Sequence, residues 1–158
     1  MNSRLLCLLG LANGAPLLAK KLLGARFSLP VDSGTTAPDH QAVFGSSKTL
    51  RGLLLSVLST ALGGWLLGFP FGKAALIGTA AMAGDLFSSF CKRRLRLPAS
   101  SKAIGLDQVP ESLFPILLCR KWLSLKVLDV LLISASFFLG ELAVSKILYR
   151  FDLRDQPY

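Results

Sequence analysis

The sequence predicts an all-α integral membrane protein, a bundle of about five transmembrane helices with its polar residues gathered on one face. Three observations predict it. Of 158 residues, 52% are hydrophobic and the mean hydropathy is positive, which is too apolar for a soluble domain of this size. The apolar residues fall into stretches near the roughly 20 residues that a spanning helix needs. The 18 Lys and Arg, against nine Asp and Glu, cluster between those stretches, so the net charge of +9 is a matter of sidedness. Long apolar runs between the basic clusters argue against a nucleic-acid partner. Cys7, Cys91 and Cys119 are widely spaced, with only His40 available beside them, so neither a disulfide framework nor a zinc site is expected.

The predicted spans lie at about 4–23, 50–69, 74–91, 107–123 and 127–149. The first has Arg4 alone before it and Lys20 and Lys21 after it, the wrong charge order for a cleaved signal peptide. The second carries Gly52, Ser56, Ser59, Thr60, Gly63 and Gly64 at three- and four-residue spacing, a face on which another helix can pack closely. The third ends in a run of cations. The fourth is interrupted by Pro110 and Pro115, and Asp107 and Glu111 sit at its start. The fifth contains Glu141, which matches no motif and is expected to be packed or protonated. Two polar loops remain, at about 24–48 and 92–106. If both loops and the C-terminus share a side, that side holds 13 of the 18 Lys and Arg, including Lys102 and Arg154. The positive-inside rule then predicts a multi-pass protein of the cell (inner) membrane with its loops in the cytoplasm and its N-terminus outside. Residues 1–158 read as one membrane-embedded domain.

The stretch "AMAGDLFSSFCKRRLRL" at 81–97 carries the chemistry. Helical offsets of three, four and seven put Asp85, Ser88, Ser89 and Lys92 on one stripe. An ionisable group inside a span costs at least about 2.5–3.5 kcal/mol on insertion scales, so it is paired, hydrated or bound to a cation. The plain alternatives are an ion pair between Asp85 and a neighbouring arginine, and a "KRRLR" run that only sets topology. A second basic group, Lys48 and Arg51 in "FGSSKTLRG", sits on the same side. Gly45, Ser46 and Ser47 precede that helix, so free N–H groups there, with Lys48 and Thr49, can hold an anion. The pattern is not a P-loop, since Ser47 stands where glycine is required. Asp32, Asp39, Asp85 and Asp107 complete an inventory that suits magnesium, which takes carboxylate and phosphate oxygens. No obvious nucleophile or base is present, as His40 is read as a solvated loop residue. That absence fits a nucleophile that is already an anion, such as a phosphate monoester attacking a nucleotide's α-phosphorus.

"ANGAP" at 12–16, Pro30 to Gly34, "FGSSKTLRG" at 44–52, "GDLFSSFCKRR" at 84–94, "GLDQ" at 105–108 and the terminal "RDQPY" together resemble the CDP-archaeol synthase family, distantly similar to the phosphatidate cytidylyltransferases. The resemblance implies a five-span cytidylyltransferase domain with a cytoplasmic catalytic face. Its reaction would transfer CMP from CTP to a membrane lipid phosphate, archaetidic or phosphatidic acid in type, with Mg2+, releasing pyrophosphate for phospholipid synthesis. It implies metal-binding roles for Asp85 and Asp107, catalytic roles for Lys48 and Lys92, and a phosphate grip by Lys48, Thr49, Arg51, Lys92, Arg93 and Arg94. Asn13 is the candidate for cytosine or sugar, and Asp32 and Arg93 are candidates for the lipid phosphate. Two departures bear on loop contacts: Asp39, His40 and Gln41 stand where the family tends to Asp-Gly-Arg, and Leu50 replaces a tryptophan. The rival readings are a non-catalytic acidic-lipid-binding protein and a small transporter subunit. A CDP-alcohol phosphotransferase would need a D-G-x-x-A-R pattern that is absent.

Overall fold

Five helices follow one another along the described chain: α1 Asn2–Leu23, α2 Leu50–Leu66, α3 Phe71–Arg94, α4 Gln108–Cys119 and α5 Val127–Arg150. The structure is a computed structural model that describes residues 2–99, 101 and 103–150; Lys102, Arg154 and the terminal RDQPY motif lie outside them. Only isolated antiparallel bridges, Pro30 with Thr49 and Thr36 with Ala42, interrupt the helical character of the described residues.

Three helices are long and apolar enough to cross a membrane, over Ser3–Leu23, Phe71–Arg94 and Val127–Ile147. The other two are shorter, 17 residues in α2 and 12 in α4. At about 1.5 Å per residue α4 reaches only about 18 Å, well short of a hydrocarbon core of about 30 Å. The fourth span expected over 107–123 is therefore a half-length helix. Its start is drawn down beside α3, where Asp107 meets Ser88 and Lys92 below the end of that helix. Its far end turns through Ser124, at φ 50°, before Asp129 accepts from the Lys126 N–H at 2.9 Å and opens α5.

α3 packs against α1, α2 and α4, while α5 packs against α4 and α1. The core joins Leu5, Leu8 and Leu9 of α1 to Ile77 and Ala81 of α3, Ile116 of α4 and Ile133 of α5. The small-residue face of α2 behaves as its spacing predicts. A Cβ on Gly64 would stand 2.2 Å from that of Ala74, and Gly78 of α3 lies against Thr60. α1 continues through Pro16, whose missing N–H cannot serve the Ala12 carbonyl one turn earlier. Ser56 of α2 donates to that carbonyl at 2.7 Å, which removes an unsatisfied acceptor from an apolar setting.

Both polar loops lie at one end of the bundle, tied together by Arg94 and Asp39 at 2.6 Å. The opposite end carries Lys73, whose ammonium sits 5.5 Å from the Trp122 ring centroid.

At Gly84 two helices meet backbone against backbone. A Cβ there would meet Pro110 O at 2.3 Å and Glu111 N at 2.8 Å, both backbone atoms that cannot swing away. Gly84→Ala is therefore expected to cost about 1–3 kcal/mol through overpacking and to lower the unfolding temperature in detergent. Gly72→Ala, where a Cβ meets nothing within 4 Å, is the control. Equal melting of the two variants would show that α3 and α4 are not in backbone contact.

Candidate active site

The site is built where α3 meets the start of α2 and the start of α4. Lys48 comes from the last turn of the α1–α2 loop and points down onto α3. Its Nζ lies 2.5 Å from Asp85 Oδ1 and 2.6 Å from Oδ2, with 21% of the lysine side chain and 15% of the aspartate side chain exposed. Burial alone would lower the Lys48 pKa, but the carboxylates of Asp85 and then Glu111 outweigh it and hold the ammonium above its ordinary range. Glu111 of α4 is buried, and its carboxyl reaches hydrogen-bonding distance of Asp85. Gly84 allows that reach, because any side chain there would hold the α4 backbone away.

A second pair stands one to two turns further along α3. Lys92 Nζ lies 2.6 Å from Asp107 Oδ1 and donates to the Ser101 carbonyl at 2.9 Å. Ser88 Oγ bridges the pairs, 2.9 Å from the Asp85 carbonyl and 3.3 Å from Asp107 Oδ1. Asp107 Oδ2 also accepts from the Ala103 N–H at 3.1 Å, and Gln108 Oε1 from Gly105 N–H at 2.8 Å, so the α3–α4 loop folds onto its own carboxylates. Of the predicted stripe of Asp85, Ser88, Ser89 and Lys92, the first, second and fourth form one polar seam, and Ser89 is buried.

The remaining predicted residues divide by what they touch. Thr49 caps α2, its hydroxyl accepting from Gly52 N–H at 3.2 Å. Arg51 donates to the carbonyls of Gly24 and Arg26, closing the chain after α1 onto the start of α2. Arg94 holds Asp39 and the Ala42 carbonyl, at 2.6 and 2.7 Å, and lies over the Phe90 ring. Asp32 accepts from the N–H groups of Phe44 and Gly45 at 2.9 Å each and of Gly34 at 3.1 Å. Gly45, at φ 94°, adopts a conformation that glycine alone enters without strain. Arg93 is 6% exposed and donates to the Pro98 carbonyl at 2.7 Å, while its Nε is buried without a partner among the described residues.

Two recesses open on this face. One, of about 570 Å³, is lined by Lys20, Lys48, Arg51, Ser46 and Asp85, with Leu17 and Met82 as its apolar wall. The other, of about 430 Å³, is lined by Arg93, Arg96, Asp32, Gly45 and Ser46. Ser46 belongs to both. Three cations and Asp85 line the first and two arginines and Asp32 the second, and the Gly45–Lys48 turn separates them. Asn13 is in neither, since it lines a cavity between α1 and α5 together with Glu141.

Comparison with known proteins bears on the family and the fold. The family described as CarS-like CDP-archaeol synthase matches residues 69–158, the part of the chain that carries Asp85, Lys92 and Asp107. The chain belongs to the CDP-archaeol synthase family. This is a family of membrane-embedded cytidylyltransferases that act on a lipid phosphate with CTP as co-substrate. The CDP-archaeol synthase of Pyrobaculum calidifontis is 30% identical over 155 residues, covering 93% of this chain and 90% of that one. The Thermofilum pendens protein of the same name is 41% identical over 103 residues, 62% of this chain and 50% of that protein, so this alignment spans half its length. A solved intramembrane enzyme of archaeal membrane lipid biosynthesis superposes with a TM-score of 0.74 at 28% identity, covering 89% of this chain and 90% of that one.

Sequence reasoning did not assign Glu111, Ser88 or Lys20 to the site. Ser88 was on the predicted stripe, and Lys20 was visible as a cation at the end of the first span. Glu111 carried a weaker signal: an acidic residue at the start of an apolar helix, which reaches Asp85 only because of Gly84.

Asp32 generates a pH prediction. Burial disfavours its charge, but the N–H donors of Gly45, Phe44 and Gly34 outweigh burial and hold its pKa below the ordinary 3.8. A depressed carboxylate contributes stability that is fully present above its unfolded value and is lost as pH falls through the folded one. Hydrogen exchange at Phe44 and Gly45, corrected for intrinsic rates, should therefore be constant above pH 3.8 and lose protection below it. In Asp32→Asn the protection should be lower and flat across that window. Wild-type protection unchanged through acid pH would rule out the carboxylate as the loop's brace.

Proposed function

We propose that this chain transfers CMP from CTP to a lipid phosphate of archaetidic or phosphatidic acid type. A CDP-lipid and pyrophosphate are the products, and residues 1–158 act as one catalytic domain. The observation that carries the reading is the seam of two lysine–aspartate pairs, Lys48 with Asp85 and Lys92 with Asp107, beside an anion recess with an apolar wall. A binding protein for acidic lipids has no use for buried carboxylates at an anion site, whereas a nucleotidyltransferase does.

In the reaction an oxygen of the lipid phosphate attacks the α-phosphorus of CTP in line with the bond to the β-phosphate. The new P–O bond forms as the old one breaks, and pyrophosphate takes the electron pair. The nucleophile is already an anion, so no base is needed, in keeping with His40 lying in the loop. Lys48 and Lys92 stabilise the charge that spreads over the phosphoryl oxygens. Arg93, with a buried Nε and a guanidinium facing the second recess, binds a phosphate as a planar fork. The two recesses either side of Ser46 supply one site for each phosphate-bearing substrate.

The family's chemistry implies a divalent cation, and the donor set fits magnesium. Asp85 and Asp107 would hold it, and substrate phosphates would complete the shell, since no group of three or more His, Cys, Asp or Glu side chains converges on a metal site among the described residues. When bound, magnesium supplies charge neutralisation to the triphosphate. In Asp85→Asn the lysine loses its charge partner. The variant is expected to melt earlier yet still insert, and the folded fraction should lose at least about a hundredfold in CTP-dependent turnover. Specific activity near wild type in that fraction would reduce Asp85 to a structural ion pair.

Orientation in the cell membrane belongs to the same proposal. The polar end holds most of the Lys and Arg, which supports a cytoplasmic active face and an outside N-terminus. On a cysteine-free background, a cysteine at residue 35 should label with a membrane-impermeant maleimide only from the cytoplasm, and one at residue 2 only from outside. Labelling of both from one side would overturn the orientation.

A further inference from the structure

The structure contains a cavity that the reaction just described does not use. It lies between α1 and α5, with a volume of about 400 Å³, in the size range of ligand sites. Its walls are open because of glycine. A Cβ built on Gly10 or Gly14 of α1, or on Gly140 of α5, meets nothing within 4 Å. Elsewhere in the bundle the interfacial glycines are in contact, as Gly64 and Gly84 show, so these three hold space rather than helices together. Leu17 lines both this cavity and the Lys48–Asp85 recess, so the two adjoin across one side chain. Asn13 adds a polar point on the cavity wall, its Nδ2 buried without a partner among the described residues.

We infer that the α1–α5 cavity holds a hydrocarbon chain of the lipid phosphate while its headgroup sits in the Lys48–Asp85 recess; the inference rests on the lipid-phosphate reading above. The chemistry follows from the lining. Gly10, Gly14, Gly140 and Leu17 offer an apolar slot whose polar points are gathered at Asn13 and Glu141, and Asn13 offers one donor to an ether or ester oxygen of the lipid's backbone. The shared Leu17 wall lets one molecule occupy both spaces without its chain entering the polar seam.

The test uses the full chain in mixed micelles with two probes, a long-chain and a dihexanoyl lipid phosphate, each assayed with CTP. Gly14→Leu and Gly140→Leu fill the slot from opposite walls. Each is expected to raise the KM for the long-chain substrate about tenfold. The KM for CTP and the kcat/KM for the dihexanoyl substrate should stay within about twofold. Gly72→Leu, an equally open helical glycine outside the cavity, should change none of these. An unchanged long-chain KM in the folded variants overturns the inference, as does an equal loss with both substrates. Light scattering that shows wild-type dimers broken by the leucines would instead assign the slot to a second copy. A long-chain lipid phosphate with a diazirine in its chain, crosslinked to the wild-type protein, decides the matter independently of variant folding. Labelling is expected between residues 6–17 and 136–144, and labelling confined to other helices overturns the inference. Absence of CTP-dependent turnover by the wild type with any lipid phosphate would count against the proposed reaction, while the crosslinking map would still report on the cavity.

Discussion

The contact between Lys48 and Asp85 is the constraint on which the polar end of this bundle depends. Asp85 sits within a spanning helix, where an unpaired carboxylate would be costly. Its partner arrives from the other end of a long loop, so the pair fixes that loop and the start of α2 in one step. Removing one member of such a buried pair leaves the other uncompensated, which is why the arrangement resists piecemeal change. Lys92 and Asp107 repeat the device at the start of α4. α2 and α4 are thus both pinned to α3 by charge at one end, and by close glycine contacts along their length at Gly64, Gly78 and Gly84.

In the reaction proposed above, the pairs are more than a means of stabilising the fold. A lysine held on a carboxylate remains a donor, and an incoming phosphate offers its ammonium a second anionic partner. The braces around it are built differently. Asp32 is satisfied by backbone N–H groups, and Arg94 and Arg51 are committed to loop carbonyls. These contacts shape the recesses, which Lys48 and Arg93 line, while Lys92 lies behind them on Asp107 and the Ser101 carbonyl.

Much of this was legible in the sequence, for identifiable reasons. The three long helices follow from the length of their apolar runs, and the stripe from Asp85 to Lys92 follows from helical spacing. The placing of both loops at one end follows from the two spans between them. The fourth helix was misjudged in length because hydropathy counts apolar residues but not the depth at which a helix begins, and the hydrogen bonds that Asp107 accepts set that depth. The division of arginines was not legible either. Arg93 and Arg94 are neighbours of identical type, and only the path of the loops decides that one braces Asp39 while the other lines a recess. Asn13 lies in a glycine-rich, weakly amphipathic helix, so its sequence neighbours do not say which way it faces.

The shortness of α2 and α4 has a consequence for the bilayer around them. Two helices that begin below the level reached by α3 present less apolar height than the hydrocarbon they displace, a negative hydrophobic mismatch on those flanks. A membrane answers such a mismatch by thinning locally, at a cost of fractions of a kcal/mol per ångström. Headgroups beside α2 and α4 then dip toward the level of Lys48 and Asp107. Under the proposed reaction, a lipid phosphate would reach the seam by lateral diffusion along a sloping leaflet surface, with its chains still in hydrocarbon.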